Sequence, residues 1–282
     1  MPPLPPSPDA VRAVVEMALA EDLGPNGDLT SCLLIPENQI GTARLFSRVA
    51  GVLSGGVLLA PLFGRVDPRV SVKLALEDGA ELSPESTIAR IAGPARSILT
   101  GERVALNLVA RLCGIATLTR KFAAACGRAR VTDTRKTTPG LRALELYAVR
   151  CGGGRNHRFN LSDGILIKDN HIAACGGVGR AVQLARAGAP HTMRIEAEVT
   201  SIEQAREAVE AGADVLLLDN MAPPAMRAVV EELRGQAVFE ASGGVRLETI
   251  GEIGATGVDI VSVGALTHSA VSLDLSLDLA AA

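Results

Sequence analysis

The second half of the chain repeats one pattern of apolar and polar positions. From about residue 131, a short apolar run is followed by a polar or glycine-bearing turn and then by an amphipathic segment with helical spacing. This alternation predicts a parallel sheet covered by helices, either open and doubly wound or closed as a barrel. The six predicted strands are VTDT (131–134), ILIK (165–168), MRIEAEV (193–199), DVLLLD (214–219), AVFEAS (237–242) and VDIVSVG (258–264).

The first part of the chain has shorter units, which are typical of an α+β layer. A long helical pattern follows these units and passes through the expected domain boundary. We expect a first domain over residues 1–112 and a second over residues 113–269. The predicted elements are a helix near 8–20, strands at 42–49, 70–76 and 87–92, and a helix from 97 to about 125.

Three polar residues interrupt the long helical pattern at four-residue steps. Arg103, Asn107 and Arg111 therefore share one stripe of the predicted helix. Such a stripe is either simply solvated or part of a functional surface.

Polar residues collect where the predicted strands end, and ligands of parallel α/β proteins bind at those carboxyl ends. Glu196 and Glu198 are two residues apart on one strand, so their side chains share a face. Charges on a parallel strand are costly unless they are paired or functional. For Lys168, Glu198 and Asp219 we favour function over structural ion pairs. The other strand-end candidates are Arg135 and Lys136.

Two glycine-bearing loops follow the last two predicted strands. In phosphate-binding barrels such loops bring backbone N–H groups to phosphate oxygens. Each loop alone could be a plain turn, but the pair on successive strands favours phosphate binding. The loops are Ser242-Gly243-Gly244 and Val263-Gly264-Ala265.

Charge and composition narrow the classes of function. The net charge of −3, with few aromatic residues, argues against nucleic-acid binding. Residues 128–168 nevertheless carry nine Lys or Arg against three acids, which indicates either an anion site or a solvated basic surface. The five scattered cysteines indicate reduced thiols. Neither a membrane span nor a leader is predicted, so we expect a cytoplasmic protein.

Several longer motifs resemble the quinolinate phosphoribosyltransferase family, also called carboxylating nicotinate-nucleotide pyrophosphorylases. The similarity covers nearly the whole chain, and its central motif is highly specific. The motifs are EDLGPNGDLTS (21–31), GERVALN (101–107), DTRKTTPGLRALELYAVRCGGGRNHRFNLSDGILIKDNHI (133–172), EAEV (196–199), LLLDNM (216–221), EASGGV (240–245) and SVGALTHS (262–269).

This resemblance implies a fold and a reaction. The fold is an N-terminal α+β open sandwich followed by an incomplete, TIM-like β/α barrel, with residues 270–282 packing back on the first domain. The reaction is phosphoribosyl transfer from phosphoribosyl diphosphate to quinolinate with decarboxylation, in NAD biosynthesis. The resemblance also implies dependence on Mg²⁺. It implies a homodimer with shared active sites, and a higher oligomer is compatible with it.

The resemblance assigns roles to individual residues. The cations form a pocket for the quinolinate carboxylates and the diphosphate. The catalytic residues that the resemblance implies are Lys136, Lys168, Glu198 and Asp219. Glu198 and Asp219 face the ribose and hold Mg²⁺, directly or through water or substrate, and the glycine loops hold the 5-phosphate. The other substrate-binding residues are Thr134, Arg135, His157 and Arg158, with Arg103 from the partner chain. The sequence departs from the usual pattern at Leu146, where a lysine is common, and at Arg155.

The sequence is also compatible with two alternative functions. A lysine that ends a barrel strand near a phosphate site is also the signature of a Schiff-base aldolase, with Lys168 as the nucleophile. The other alternative is a non-catalytic relative that binds a phosphorylated ligand, or a relative that acts on another pyridine-like acceptor.

Overall fold

The computed structural model describes residues 3–281 and divides the chain into two compact units. The first unit contains the chain up to Arg120, Thr137–Gly153, and the segment from Leu266 onward. The second unit contains Lys121–Lys136 and Gly154–Ala265. The two units thus alternate along the chain, and the boundary that we expected at residues 112–113 lies inside a continuous helix.

The elements follow one another in an order that agrees with most of the predicted ones. In the first half they are α1 (Pro8–Leu23), α2 (Leu29–Leu34), β1 (Ile40–Ser47), β2 (Gly51–Val52), α3 (Gly56–Val66), β3 (Ser71–Leu74), β4 (Glu81–Leu82), β5 (Thr87–Pro94) and α4 (Ala95–Ala125). They continue with β6 (Arg130–Thr132), α5 (Arg142–Cys151), β7 (Ile165–Ile167), α6 (Asp169–Cys175), α7 (Val178–Gly188), β8 (Ile195–Val199), α8 (Ile202–Glu210), β9 (Val215–Asp219), α9 (Pro223–Glu232), β10 (Val238–Ser242), α10 (Ile250–Gly254), β11 (Ile260–Ser262), α11 (Ala265–His268) and β12 (Leu275–Ala281).

The first unit is built on a four-stranded antiparallel sheet in the order β12-β1-β5-β3. Strand β1 buries alternate residues, as expected for a strand with one face on a core. Strand β12 pairs with β1 from Leu275 to Ala281, so the end of the chain completes the sheet begun near its start. Helix α1 begins at the cap residue Ser7, whose hydroxyl accepts a hydrogen bond from the backbone N–H of Ala10.

The second unit is a parallel six-stranded sheet in the order β6-β11-β10-β9-β8-β7. Helices separate most of the strands along the chain and provide the crossovers that parallel pairing requires. Strand β6 is the earliest of the six in sequence but pairs with β11, the latest, which is the order of a barrel. Among the described residues β6 and β7 remain unpaired with each other, so the barrel is incomplete. The predicted fold class is therefore confirmed.

None of the helices within residues 3–281 has both the length and the apolar composition that crossing a membrane would require.

Two helical glycines provide a matched test of packing in the first unit. A Cβ on Gly114 of α4 would lie 2.1 Å from the carbonyl oxygen of Val271, whereas a Cβ on Gly64 of α3 would meet nothing within 4 Å. We expect Gly114→Ala to lower the free energy of unfolding by about 1–3 kcal/mol, because the overlap must be relieved by backbone movement. Gly64→Ala should raise it by roughly 0.5–1 kcal/mol. Urea unfolding checks both values, and an unchanged Gly114→Ala variant would contradict the close packing.

Candidate active site

The strand register places the predicted acids on one face of the parallel sheet. Glu198 on β8 pairs with Leu217 on β9, and Leu217 pairs with Glu240 on β10. Residues in register on parallel strands point the same way, and side chains alternate along each strand. Glu196 and Asp219, each two residues from a member of this row, therefore lie on the same face.

The register also places the basic strand-end residue on this face. Leu166 on β7 pairs with Glu196 on β8, so Lys168, two residues further on, points the same way. Lys168 Nζ lies 3.4 Å from Glu198 Oε2. The structure therefore brings together Lys168, Glu198 and Asp219, the three residues for which the sequence favoured function.

One histidine contacts acids from two strands that are not neighbours. His157 Nε2 lies 3.2 Å from Glu196 Oε2 on β8 and 3.6 Å from Glu240 Oε1 on β10. Strand β9 separates these two strands in the sheet. A single imidazole can reach both carboxylates only if this face is concave, as it is in a barrel.

The three groups of this cluster modify one another electrostatically. Burial tends to lower the pKa of His157, but the hydrogen bond to Glu196 and the charges of Glu240 and Glu196 outweigh it, so the pKa is raised. Burial, reinforced by the charge of Glu196, raises the pKa of Glu240. Glu196 Oε1 and Glu240 Oε1 are buried without a hydrogen-bond partner. His157 is therefore the main compensation for two buried carboxylates.

The cluster also has the composition of a metal site. One ligand atom each from His157, Glu196 and Glu240 lies within 4.8 Å of the others. Imidazole with two carboxylates suits a divalent cation. His157 Nε2 already lies close to both acids, so the contacts of the cluster form without a metal. A cavity of about 740 Å³ borders it and is also lined by Arg130, Arg155 and Arg194.

Buried Asp133 holds the segment that carries His157. Its carboxylate accepts hydrogen bonds from the backbone N–H of His157, at 2.9 Å, and from Nδ2 of Asn156. The backbone of Arg155 forms a parallel bridge with Thr132 at the end of β6. Residues 155–158 therefore extend the open edge of the barrel at β6.

Arg158, the next residue, contributes to a concentration of positive charge. Its Nη1 donates to the carbonyl of Gly164 at 2.7 Å. Burial and then the positive charge of Arg135 lower the pKa of Arg158. Two guanidinium groups close enough to repel each other form a site that an anion would stabilise.

The acids at the ends of β8 and β9 form a second electrostatic group. Burial raises the pKa of Glu198, Lys168 opposes that shift, and the charge of Asp219 adds to it. Asp219 Oδ2 accepts a hydrogen bond from Nδ2 of Asn220 at 2.8 Å. A buried carboxylate with a second acid close to it provides a position for a cation or for developing positive charge.

The loop after β10 needs its glycines. Gly243 and Gly244 have φ angles of +92° and +57°, in the region that L side chains rarely adopt. A Cβ on Gly243 would lie 2.2 Å from Oδ1 of Asn220, so the Asn220 side chain lies directly against this glycine. The loop Val263-Gly264-Ala265 follows β11, which pairs with β10, so the two predicted phosphate loops lie at adjacent strand ends.

Four residues that the sequence analysis named lie on helices of the first unit and not on the barrel. Arg103 is exposed on α4, in the first unit, and Asn107 is exposed as well. Arg111 was expected on the same polar stripe, but it is partly buried and forms an ion pair with Glu145, which has no exposed surface. Leu146, the position at which the resemblance implied a lysine, is buried on α5.

The sequence interpretation missed three residues that shape the site: Asp133, Asn220 and Glu240. Glu240 could have been found by the argument applied to Glu196, because both are acids inside an apolar parallel strand. Asn220 has a φ of +52°. The sequence could have indicated it, because an asparagine directly after a strand-end acid is a residue type that tolerates the left-handed region. Asp133 lay inside the predicted strand VTDT (131–134), so the argument applied to Glu196 could have found it too; the observed strand β6 ends one residue before it.

Fold and site together define a class: an incomplete parallel β/α barrel whose concave face combines acids with a cationic strand-end cluster and two adjacent glycine loops. Residues 28–113 match the quinolinate phosphoribosyl transferase N-terminal domain, and residues 115–278 match the C-terminal domain. The chain belongs to the quinolinate phosphoribosyltransferase family.

Named relatives and solved structures agree with this membership. The probable nicotinate-nucleotide pyrophosphorylase [carboxylating] of Bacillus subtilis (strain 168) is 47% identical over 92% of this chain and 90% of its own. The chloroplastic nicotinate-nucleotide pyrophosphorylase [carboxylating] of Arabidopsis thaliana is 38% identical over 95% of this chain and 82% of its own. The crystal structure of NadC from Streptococcus pyogenes superposes with a TM-score of 0.94 at 41% identity and covers 98% of both chains.

The His157 cluster predicts a pH dependence of stability. The pKa of Glu240 rises from its ordinary 4.5 to about 7, so the folded chain holds this proton more tightly than the unfolded chain. The associated stability is present below pH 4.5 and is lost as the pH rises through 7, with His157 acting in the same direction from 6.5 upward. Glu240→Gln cannot titrate and should flatten the fall in unfolding free energy across this range.

Urea unfolding at several pH values measures the slope. Glu248→Gln, a change at an exposed acid in the segment after β10, is the matched control and should keep the wild-type slope. A Glu240→Gln variant whose slope equals that of the wild type would show that the cluster does not retain protons on folding.

Proposed function

We propose that this protein transfers the phosphoribosyl group of phosphoribosyl diphosphate to quinolinate, releasing diphosphate and carbon dioxide and forming nicotinate mononucleotide for NAD biosynthesis. The main support is that Lys168, Glu198 and Asp219 share one barrel face, with the Arg135–Arg158 cluster in the same unit. Membership of a family named for this transfer supports the same reaction.

The transfer needs opposite charges on the two sides of the reacting carbon. When the bond from ribose C1 to the diphosphate oxygen breaks, positive charge develops on C1 and the ring oxygen. Glu198 and Asp219 are suited to stabilise that charge, while Lys136 and Lys168 are suited to the departing diphosphate. The pyridine nitrogen supplies the electron pair for the new bond to C1, so no covalent enzyme nucleophile is required.

Decarboxylation follows from the same geometry. The new pyridinium accepts the electron pair of the bond to the adjacent carboxylate, carbon dioxide leaves, and the ring carbon then takes a proton. The second carboxylate has to remain bound meanwhile. Arg135 and Arg158 are suited to this because a planar guanidinium matches a carboxylate, and Thr134 and His157 belong to the same proposed pocket.

We also propose a Mg²⁺ site, a binding site for the 5-phosphate and a cytoplasmic location. Glu198 and Asp219 offer the oxygen ligands that Mg²⁺ prefers and would hold it directly or through water or substrate. Bound there, it would neutralise the diphosphate. The loops at Gly243 and Gly264 would hold the 5-phosphate. All five cysteines are free, which supports a reducing compartment, and we assign the protein to the cytoplasm.

The Schiff-base alternative loses support from the surroundings of Lys168. A nucleophilic lysine is usually desolvated or placed beside another cation. Lys168 has a side-chain exposure of 51% and is ion-paired with Glu198. These surroundings suit a lysine that binds an anion.

Substrate choice tests the proposed function. Quinolinate should be converted and nicotinate should not, because one missing carboxylate removes charge-assisted hydrogen bonds worth roughly 1.5–3 kcal/mol each. Nucleotide formation from phosphoribosyl diphosphate is measured with each acid in parallel, with acid-free reactions as the control. Equal turnover of the two acids would contradict the assignment and favour another acceptor.

We further propose that the protein is a homodimer, open to further assembly, in which Arg103 of one chain serves the barrel of the other. Arg103 is exposed on α4, outside the unit that carries Lys136. An isologous interface could place two such arginines at two barrels at once. The GERVALN motif that contains Arg103 is part of the family resemblance.

Complementation tests the shared site. Arg103→Ala and Lys136→Ala should each be nearly inactive, and mixing them under subunit exchange should restore about a quarter of wild-type activity, because each heterodimer has one intact site. Mixing Lys136→Ala with Lys168→Ala is the matched control and should restore nothing, since each residue serves the barrel of its own chain and both barrels of the heterodimer then carry one lesion. Absence of recovery with Arg103→Ala, despite demonstrated exchange, would refute the shared site.

A further inference from the structure

Arg111 on α4 takes part in a buried ion pair that the proposed chemistry does not use. Its Nη2 lies 2.9 Å and its Nε 3.3 Å from Oε1 of Glu145 on α5. Glu145 has no exposed surface, and the Arg111 side chain is 23% exposed. A charge pair buried this deeply rarely adds much net stability over an apolar pair of similar shape, although removing one partner is costly. Its placement therefore calls for an explanation other than stability.

The carboxylate of Glu145 also holds the loop that precedes its helix. Glu145 Oε2 accepts a hydrogen bond from the backbone N–H of Thr138 at 3.0 Å, and Oε1 accepts one from the Thr138 hydroxyl at 2.8 Å. Both donors belong to the same exposed loop residue. Arg111 in turn neutralises and orients the carboxylate that makes these bonds.

The guanidinium of Arg111 binds a third segment of the chain. Nη1 donates to the carbonyl oxygen of Ala270 at 3.0 Å, and Nη2 donates to the carbonyl oxygen of Thr267. Thr267 is fully buried and lies on α11. Arg111 thus connects α4 to α11 and the turn after it, and through Glu145 it connects them to the loop before α5, all within the first unit.

Both connected segments continue directly into the proposed site. Thr138 stands two residues after Lys136, and Thr267 stands two residues after Ala265, the last residue of the second glycine loop. Only one residue intervenes in each case, so the chain between the network and Lys136 or Ala265 is too short to allow large relative movement. The network therefore anchors the chain just beyond two site-bearing loops.

We propose that Arg111 and Glu145 are positioning residues for phosphoribosyl transfer, which fix the loops of Lys136 and of Val263-Gly264-Ala265 without touching substrate. This inference rests on the proposed function. It predicts a loss in the chemical step larger than the loss in substrate binding, because small displacements of catalytic groups reduce turnover strongly.

The test compares two arginines of the same helix. Arg111→Lys keeps the charge but lacks the guanidinium fork that reaches Glu145, Thr267 and Ala270 together. Arg120→Lys is the matched control. Arg120 also pairs with an acid, Glu81 Oε1 at 3.2 Å, and donates to the carbonyls of Gly152 and Gly79 at 3.2 and 3.4 Å. In the sequence the nearest proposed site residue, His157, is five residues from these partners, whereas Lys136 and Ala265 are two residues from the partners of the Arg111 network.

We expect Arg111→Lys to lower kcat by about tenfold or more while KM for quinolinate changes less, and Arg120→Lys to keep kcat within about twofold of the wild type. Thr138→Val removes only the hydroxyl bond to Glu145 and should give a smaller loss of the same kind. Thr138→Val therefore tests the same network if Arg111→Lys folds poorly. A purely structural role would lower the folded fraction without changing kcat per folded molecule.

Amide hydrogen exchange gives a readout that is independent of activity. Arg111→Lys should accelerate exchange in peptides covering residues 133–141 and 263–270, and Arg120→Lys should not. Unchanged exchange in those peptides, or equal losses of kcat in the two arginine variants, would overturn the positioning role. A wild-type protein that forms no nucleotide would instead refute the proposed function, and the exchange comparison would still decide whether Arg111 fixes the loops.

Discussion

Glu196 and Glu240 are two carboxylates buried in the concave face of a parallel sheet, and compensating them constrains the rest of the barrel unit. A buried carboxylate without a partner is far less stable than one in water. His157 reaches both acids, so the segment that carries it has to lie across the open edge at β6. Asp133 fixes that segment through its backbone. The position of Arg158, the next residue, is a consequence of this anchoring.

The remaining site charges are only partly compensated within the chain. Arg135 and Arg158 repel each other, and Glu198 and Asp219 do likewise. Such arrangements cost folding free energy and are typical of sites that a ligand completes. Lys168 lies beside Glu198 at the end of β7, which limits this cost before substrate arrives. A substrate with an anionic leaving group and a developing cation would relieve both repulsions at once.

Much of the fold could be predicted because the signals are local. Six apolar runs gave six strands, and the helix expected from residue 97 to about 125 is observed as Ala95–Ala125. Helix α3 was missed because its sequence is largely apolar and contains Pro61, although its buried residues Leu58, Leu59, Leu62 and Phe63 have helical spacing. The site was predictable where a charge interrupts a strand, as at Glu198 and Asp219. Motif resemblance added His157 and Arg158, which no periodicity marks.

The sequence by itself determined the alternating strands and helices, the strand ends at which polar residues collect, and the family to which the chain belongs. Only the tertiary structure decided that His157 contacts both Glu196 and Glu240. It also decided that Arg111 forms a buried ion pair with Glu145, whereas Arg103 and Asn107 of the same helix are exposed. The physical reason is range. Helical and strand periods depend on neighbours a few residues apart, whereas compensation of a buried charge depends on groups tens of residues away that only folding brings together.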